Sequence, residues 1–206
     1  AGLLKELALA GANSVTLAPE AGTDRLRKSI GKDLTEAEII ESVAKVSRAG
    51  LNGLKLYFMA GLPGEQEEDI TALKDLVLKC LKEFGRHSIS INIAPFVPKP
   101  FTPFEREGVM ELNPLEERLA FLTSGLSARR VKVKTESPAW SRIQAALSRG
   151  DERLAPLIAL LEKPTLTGWR RALEFAGIDE QDYLGRIPAG KKLPWSIISC
   201  LLYTSP

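Results

Sequence analysis

Residues 53–65, GLKLYFMAGLPGE, restrict the fold more than any other stretch of this chain. From Gly53 to Ala60 apolar bulk falls on both parities, interrupted only by Lys55. A strand with one wet face alternates, so this run predicts a strand covered on both faces, as in parallel α/β sheets and barrels. It stops at Gly61-Leu62-Pro63-Gly64, and the acidic residues of 65–69 open an amphipathic helix. Strand, tight turn and helix make a βα unit. Its loop lies at the carboxyl end of the strand, where such folds keep their chemistry.

The flanking sequence repeats the pattern. Residues 14–18 (SVTLA) and 88–94 (SISINIA) predict two more strands, and residues 3–9 a preceding helix end. A helical stretch with Leu26 and Ile30 follows the first strand. Thr35 then opens a helix as a capping box with Glu38, with Ile39, Ile40, Val43 and Val46 on its apolar face. The helix after Gly64 carries Ile70, Leu73, Val77 and Leu81 on one stripe. Alternating strands and helices predict parallel βα units with right-handed crossovers. Three strands neither close a barrel nor complete a sheet, so they read as the second half of a larger βα domain.

Parallel strands bring their carboxyl ends to one face, which places Glu20, Glu65 and Lys99 in a candidate cleft. Carboxylates there accept hydrogen bonds from ribose hydroxyls, and proline-stiffened loops offer fixed backbone groups to a heterocycle edge. That suits a nucleoside-like ligand. The competing reading has Glu20 capping the next helix through its dipole, with the prolines only stiffening turns. GLPGEQ is not a phosphate loop, because it lacks the glycine spacing and the Lys-Ser/Thr pair.

After Phe104 the texture changes. Asn113-Pro114 starts a helix with Leu115, Leu119 and Leu122, and VKVK around Val131 and Val133 predicts a half-exposed, edge-type strand. Helices are expected over 137–150, 151–161 despite Pro156, and 167–176, followed by an apolar hook at Leu193-Pro194-Trp195. Residues 109–199 thus read as a small, mostly helical appendage to a βα part at 1–108. The last seven residues, CLLYTSP, break in character and read as a non-native tail.

The sequence has 28 Lys and Arg against 26 Asp and Glu, so charge compels neither a nucleic-acid nor an acidic-membrane partner. No apolar run approaches the roughly 20 residues of a membrane span, and a cytoplasmic location is expected. Two cysteines and one histidine fit neither a disulfide scaffold nor a usual zinc site. Cys80 falls on the apolar stripe of its helix and reads as core; His87 reads as a surface or capping residue in a turn. The chain opens without Met and inside a helix, which predicts that it is the C-terminal part of a longer protein.

Three collinear motifs, SVTLAPEAGTDRLRKSIGK, LKLYFMAGLPGEQEED and INIAPFVPKPFTPF, resemble the later strands of the radical S-adenosylmethionine (SAM) superfamily over residues 1–108. The likeness is nearest to its cobalamin-binding-type and methylthiotransferase-like branches. SRGDERL and KLPWSII resemble the C-terminal extension of the same group. The resemblance implies an α/β fold, the second half of a partial (βα)6 TIM-type barrel with parallel strands, followed by the helical appendage. It implies an enzyme that binds SAM, with a [4Fe-4S] cluster held by a CxxxCxxC loop, and that modifies an unknown substrate through a 5′-deoxyadenosyl radical. By position, Glu20 matches the residue that reaches the SAM ribose, and Lys32 the helix-borne cation that pairs the methionine carboxylate. Tyr57 stands where some members place an acidic ribose contact. Met59, Gly61 and Pro63 match the floor and turn beside the adenine, and Ala94, Pro95 and Phe96 the adenine-edge segment after the last strand. CxxxCxxC is absent from this sequence. The cluster ligands are therefore expected upstream of Ala1, the chain alone is expected to be inactive, and a cobalamin domain further upstream is left open. Two alternatives stand beside this reading: a cluster-less binding or regulatory module, and an unrelated βα-barrel enzyme that handles phosphates or aldehydes.

Overall fold

The structure is a computed structural model that describes residues 2–85, 88–129, 131–161 and 163–198. The turn at His87 and the tail at 200–206, with Cys200, lie outside the described residues. Contacts divide the chain into two units, Ala1–Pro95 with Asn113–Glu136, and Phe96–Leu112 with Ser137–Pro206.

The first unit is built on a four-stranded sheet of β1 (Ser14–Glu20), β2 (Gly53–Ala60), β3 (Ser88–Pro95) and β4 (Lys132–Thr135). The strands lie in chain order and every pairing is parallel. Helices α2 (Asp24–Ser29) and α3 (Glu36–Arg48) link β1 to β2, α4 (Glu67–Phe84) links β2 to β3, and α5 (Leu112–Ser127) precedes β4. A short helix, α1 (Gly2–Leu9), leads into β1. The expected parallel α/β class is borne out.

Local chemistry explains these boundaries. Thr35 and Glu38 form the expected capping box, with the Thr35 N–H donating to Glu38 at 2.8 Å and the Glu38 N–H to Thr35 at 3.3 Å. Positive φ at Gly50 and Gly85 turns the chain out of α3 and α4. Ile39, Val43 and Val46 of α3 and Ile70, Leu73 and Val77 of α4 are buried, as their stripes predict. Cys80 belongs to the same α4 stripe, and burial pushes its thiol up to about 12.

Two expectations are corrected here. First, β2 is covered on one face only. Leu54, Leu56, Phe58 and Ala60 are buried, while Lys55 and Tyr57 are exposed and Met59 is half-buried. Register aligns Leu54, Leu56 and Phe58 with the buried Ile89, Ile91 and Ile93 of β3. Each such side chain contributes about 1.5–3 kcal/mol on burial. Tyr and Met carry apolar bulk that fits a half-open strand as well as a covered one, which is why parity alone misleads.

Second, α5 and β4 do not belong to an appendage beginning at residue 109. The lysine-rich VKVK stretch pairs with β3 through Ser90–Lys132, Ile91–Val133, Asn92–Lys134 and Ile93–Thr135. It is an edge strand of the described sheet, and the Glu136 N–H extends the ladder to Ile93 O at 3.1 Å.

The second unit is mostly helical, with α6 (Pro138–Arg149), α7 (Leu154–Ala159), α8 (Leu166–Ala176), α9 (Gln181–Leu184) and a 3-10 turn at Pro194–Ile197. Ser137 caps α6 by accepting from the Trp140 N–H at 3.4 Å, and Gly177 closes α8 in the left-handed region. Its core gathers Ile143, Ala146, Leu157, Trp169, Leu173 and Tyr183. The hook at Leu193-Pro194-Trp195 buries Trp195, whose indole N–H donates to Glu105 at 2.8 Å.

Candidate functional site

The loop after β1 is the most constrained stretch of the first unit. The pairing of β1 with β2 shifts register between Leu17 and Glu20, and Glu20 itself adopts φ +70°. A glutamate gains nothing from the left-handed region, so its surroundings impose the conformation. Two residues on, Gly22 sits directly against α4. An added Cβ would lie inside van der Waals contact of the Asp69 carbonyl and the Leu73 backbone.

Side chains lock the loop in place. Thr23 caps α2 by accepting from the Leu26 N–H at 3.2 Å, and its hydroxyl donates to Asp69. Arg25 pairs with the same carboxylate and reaches the Gly64 carbonyl at 3.3 Å. Asp69, buried, also accepts the Gln66 N–H at 2.8 Å and so opens α4. Arg27 is fully buried; it donates to Leu34 O at 2.6 Å and Ala21 O at 2.7 Å and pairs with Asp24. The α2 cap is therefore Thr23, and the dipole-capping role considered for Glu20 is not what the structure shows.

Lys32 is not on a helix, as the resemblance implied, but in the loop after α2, where its N–H donates to Arg27 O at 2.9 Å. That placement brings its ammonium to 3.5 Å from the Glu20 carboxylate. The side chains are 40% and 25% exposed, and the contact is long for a charged hydrogen bond. Glu20 and Lys32 are thus brought together.

Glu65 does not join them. Its side chain turns into its own loop, accepting the Gly61 N–H at 2.9 Å and the Leu62 N–H at 3.5 Å, and pairs with Arg118 of α5. Burial holds its carboxyl above the usual glutamate range, against the opposing pull of Gly61 and Arg118. Gly61 and Gly64 take positive φ around Pro63, so the GLPG turn is fixed from within. Lys99 belongs to the second unit, where burial lowers its ammonium pKa. Within the first unit, the pairing expected of Glu20 with Glu65 is corrected: Glu65 is engaged in its own loop and with Arg118, and Glu20 meets Lys32.

The uncovered face of the sheet carries the other candidates. Register places Thr16, Lys55, Ser90 and Lys132 on one rung, Tyr57, Asn92 and Lys134 on the next, and Met59 beside Ala94 on a third. Lys55, Tyr57, Asn92, Lys132, Lys134 and Glu136 line a concavity of about 410 Å³. The Asn92 amide donates to Glu136 at 3.4 Å, while its carbonyl oxygen is buried without a partner. Three ammonium groups face one carboxylate, so this surface favours anionic ligands. Ala94 and Pro95 lie within β3 rather than after a last strand, because β4 follows. Phe96 is in the second unit, edge-on to Phe104 at 5.9 Å between ring centroids.

Sequence reasoning missed Arg27, Asp69, Arg118 and the lysines of the open face. Lys55 as the one charge in an apolar run, and the alternation of VKVK, are the signals that pointed to that face.

Residues 1–77 match the family model described as the Radical SAM superfamily, in agreement with the resemblance read from the motifs. Uncharacterized protein MJ0966 of Methanocaldococcus jannaschii is 36% identical over 152 residues, 74% of this chain and 33% of that protein. A tRNA-2-methylthio-N(6)-dimethylallyladenosine synthase of Petrotoga mobilis is 33% identical over 92 residues, 44% of this chain and 20% of that protein. The chain thus spans a third or less of the length of these curated relatives. Among solved structures, a Burkholderia cenocepacia protein assigned as a phosphonomutase aligns with TM-score 0.45 and 18% identity, over 86% of this chain and 63% of that one.

Proposed function

We propose that this chain supplies part of the SAM site of a radical SAM enzyme, with Glu20 and Lys32 as the polar clamp. The observation that carries the reading is the strained Glu20, held at φ +70° at the end of β1 and only loosely paired with Lys32 at 3.5 Å. Strain of this kind persists where the surroundings over-determine it, and it clusters at ligand-binding positions. A loose, half-exposed pair leaves most of the carboxylate's acceptor sites and two ammonium protons for a ligand. Both residues fall inside the segment that matches the superfamily.

The residues present fit SAM. Glu20 would accept from ribose hydroxyls and Lys32 would meet the amino-acid carboxylate. Tyr57, Met59 and Ala94, on the uncovered face, would flank the base, with Gly61, Pro63 and Pro95 setting the backbone beside it. The role of Phe96 rests on the resemblance alone. When bound, SAM supplies the sulfonium chemistry from which this superfamily starts its reactions, while the protein's part is to bind, orient and exclude water. The cationic rungs of the open face favour an unknown substrate that carries negative charge.

The residues present do not fit a four-iron cluster. The sequence has two cysteines, and Cys80 is buried in α4 with its thiol pushed up to about 12. Among the described residues no group of three His, Cys, Asp or Glu can hold a metal ion. On this reading the cluster would be held by residues outside this sequence, and activity would belong to the full-length protein; cobalamin stays open. Among the described residues no helix is long and apolar enough to cross a membrane; a cytoplasmic enzyme is proposed.

The test uses Glu20→Gln and Lys32→Ala in the full-length protein, with SAM affinity and melting temperature measured together. Losing a charged hydrogen-bond partner lowers affinity by about 1.5–3 kcal/mol, roughly ten- to a hundredfold. Melting should move little, because Thr23 and not Glu20 caps α2. Unchanged SAM affinity in both variants refutes the assignment.

A further inference from the structure

Asp69 stands where the loops after β1 and β2 meet. Its carboxylate is buried in the first turn of α4, and three donors from separate segments converge on it. The Thr23 hydroxyl and the Arg25 guanidinium come from the stretch after β1, and the Gln66 N–H, at 2.8 Å, from the end of the GLPGE loop. Arg25 also donates to the Gly64 carbonyl at 3.3 Å, so one guanidinium spans both loops. The backbones touch there too, since Gly22 lies against the Asp69 carbonyl and the Leu73 backbone.

Glu20 and Lys32 are both fastened to α2. The Ala21 carbonyl, next to Glu20, accepts from the buried Arg27 guanidinium at 2.7 Å, and the Lys32 N–H donates to the Arg27 carbonyl at 2.9 Å. Yet α2 has only six residues, too few to be stable by itself, so its place is set by what holds its first turn. Thr23 is its cap and Arg25 its second residue, and both are held by Asp69. We propose, on the reading that Glu20 and Lys32 clamp SAM, that Arg25 acting through Asp69 is a positioning residue for that clamp. It keeps Glu20 and Lys32 in register with the Gly61–Gly64 turn, so that the ribose and carboxylate contacts reach the same ligand as the backbone beside the base. Groups that must meet a ligand to within about 0.5 Å depend on the residues that hold them in this way. The energetic weight of Arg25 is small by comparison, because its side chain is 54% exposed and water competes for its charge. Geometry rather than stability is therefore what its removal disturbs.

The experiment compares Arg25→Met, Glu20→Gln and the double variant in the full-length protein, by SAM affinity, melting temperature and hydrogen exchange. Arg25→Met leaves Asp69 the Thr23 hydroxyl and the Gln66 N–H, so the fold survives. SAM affinity should fall roughly three- to tenfold, while melting moves by no more than a few degrees. Exchange should quicken over residues 20–34 and 61–66 and stay as it was over β3. The losses should not add: the double variant should bind SAM more tightly than the product of the two single effects predicts, because Arg25 works through the group that Glu20→Gln has already removed. SAM affinity unchanged in Arg25→Met but lowered in Glu20→Gln overturns the positioning role and leaves the clamp standing. So do fully additive losses, or exchange quickened evenly across the unit, which would make Arg25 structural only. No effect of Glu20→Gln on SAM removes the clamp, and the positioning role with it.

Discussion

Replacing Arg118 by methionine tests how the GLPGE turn is held. Methionine keeps much of the apolar stem but leaves Glu65 as a carboxylate whose side chain is 2% exposed, with only the Gly61 and Leu62 amides for partners. Breaking a fully buried ion pair costs about 3–5 kcal/mol. Arg118 retains 19% of its side-chain exposure, so water offsets part of that and about 2–3 kcal/mol is expected. That corresponds to a melting temperature roughly 5–10 °C lower.

The pH dependence has a definite sign. A carboxyl whose folded pKa is raised binds its proton more tightly when folded, so its burial penalty vanishes below the ordinary glutamate value of about 4.3 and grows as pH rises through the folded pKa. Losing Arg118 raises the pKa of Glu65 further. The deficit of the variant should therefore be largest at pH 7 and shrink toward pH 5. Urea denaturation at both pH values measures it, and adding Glu65→Gln should recover more than half of the loss. A deficit below about 1 kcal/mol at pH 7, or no recovery in the double variant, would refute the argument.

Two further outcomes follow from the site. Glu20→Gly relieves φ +70° at the cost of backbone entropy, two terms of about 1 kcal/mol each that nearly cancel. Melting should therefore stay within a few degrees while SAM affinity falls; a large loss of stability would mean that the glutamate side chain is structural. Treating the 206-residue chain with iron and sulfide should leave no stoichiometric four-iron absorbance, because two cysteines cannot supply three thiolates. A full cluster spectrum would reject that count.

Features set by neighbours in sequence were legible before the structure. Gly and Pro bracket β2, the Thr35–Glu38 box starts α3, and the stripe through Leu73 and Val77 marks the buried side of α4. Features set by distant partners were not. Asp69 meets Arg25 across 44 positions and Glu65 meets Arg118 across 53, and nothing local distinguishes these acids from solvated helix-start charges. Residues 132–135 hold one valine between lysines and a threonine, too little apolar pattern to declare a pairing that β3 dictates. The positive φ of Glu20 was invisible for a related reason: Gly22 is the natural place to expect a left-handed turn, yet it is needed for its lack of a side chain against α4.

The seating of Gly22 on the α4 backbone also decides what can be exchanged between relatives. A chimera that swaps residues 19–35 alone imports a loop shaped for another protein's helix, and the fit at Asp69 and Leu73 leaves no room to accommodate a different path. Asp69 would likewise be left without the Thr23 hydroxyl and the Arg25 guanidinium that pair with it. Residues 19–73 form the smallest cassette in which loop, strand and receiving helix travel together. Recombination breakpoints that preserve this architecture therefore fall before Pro19 or beyond Leu73, and successive βα units in this chain are not interchangeable one at a time.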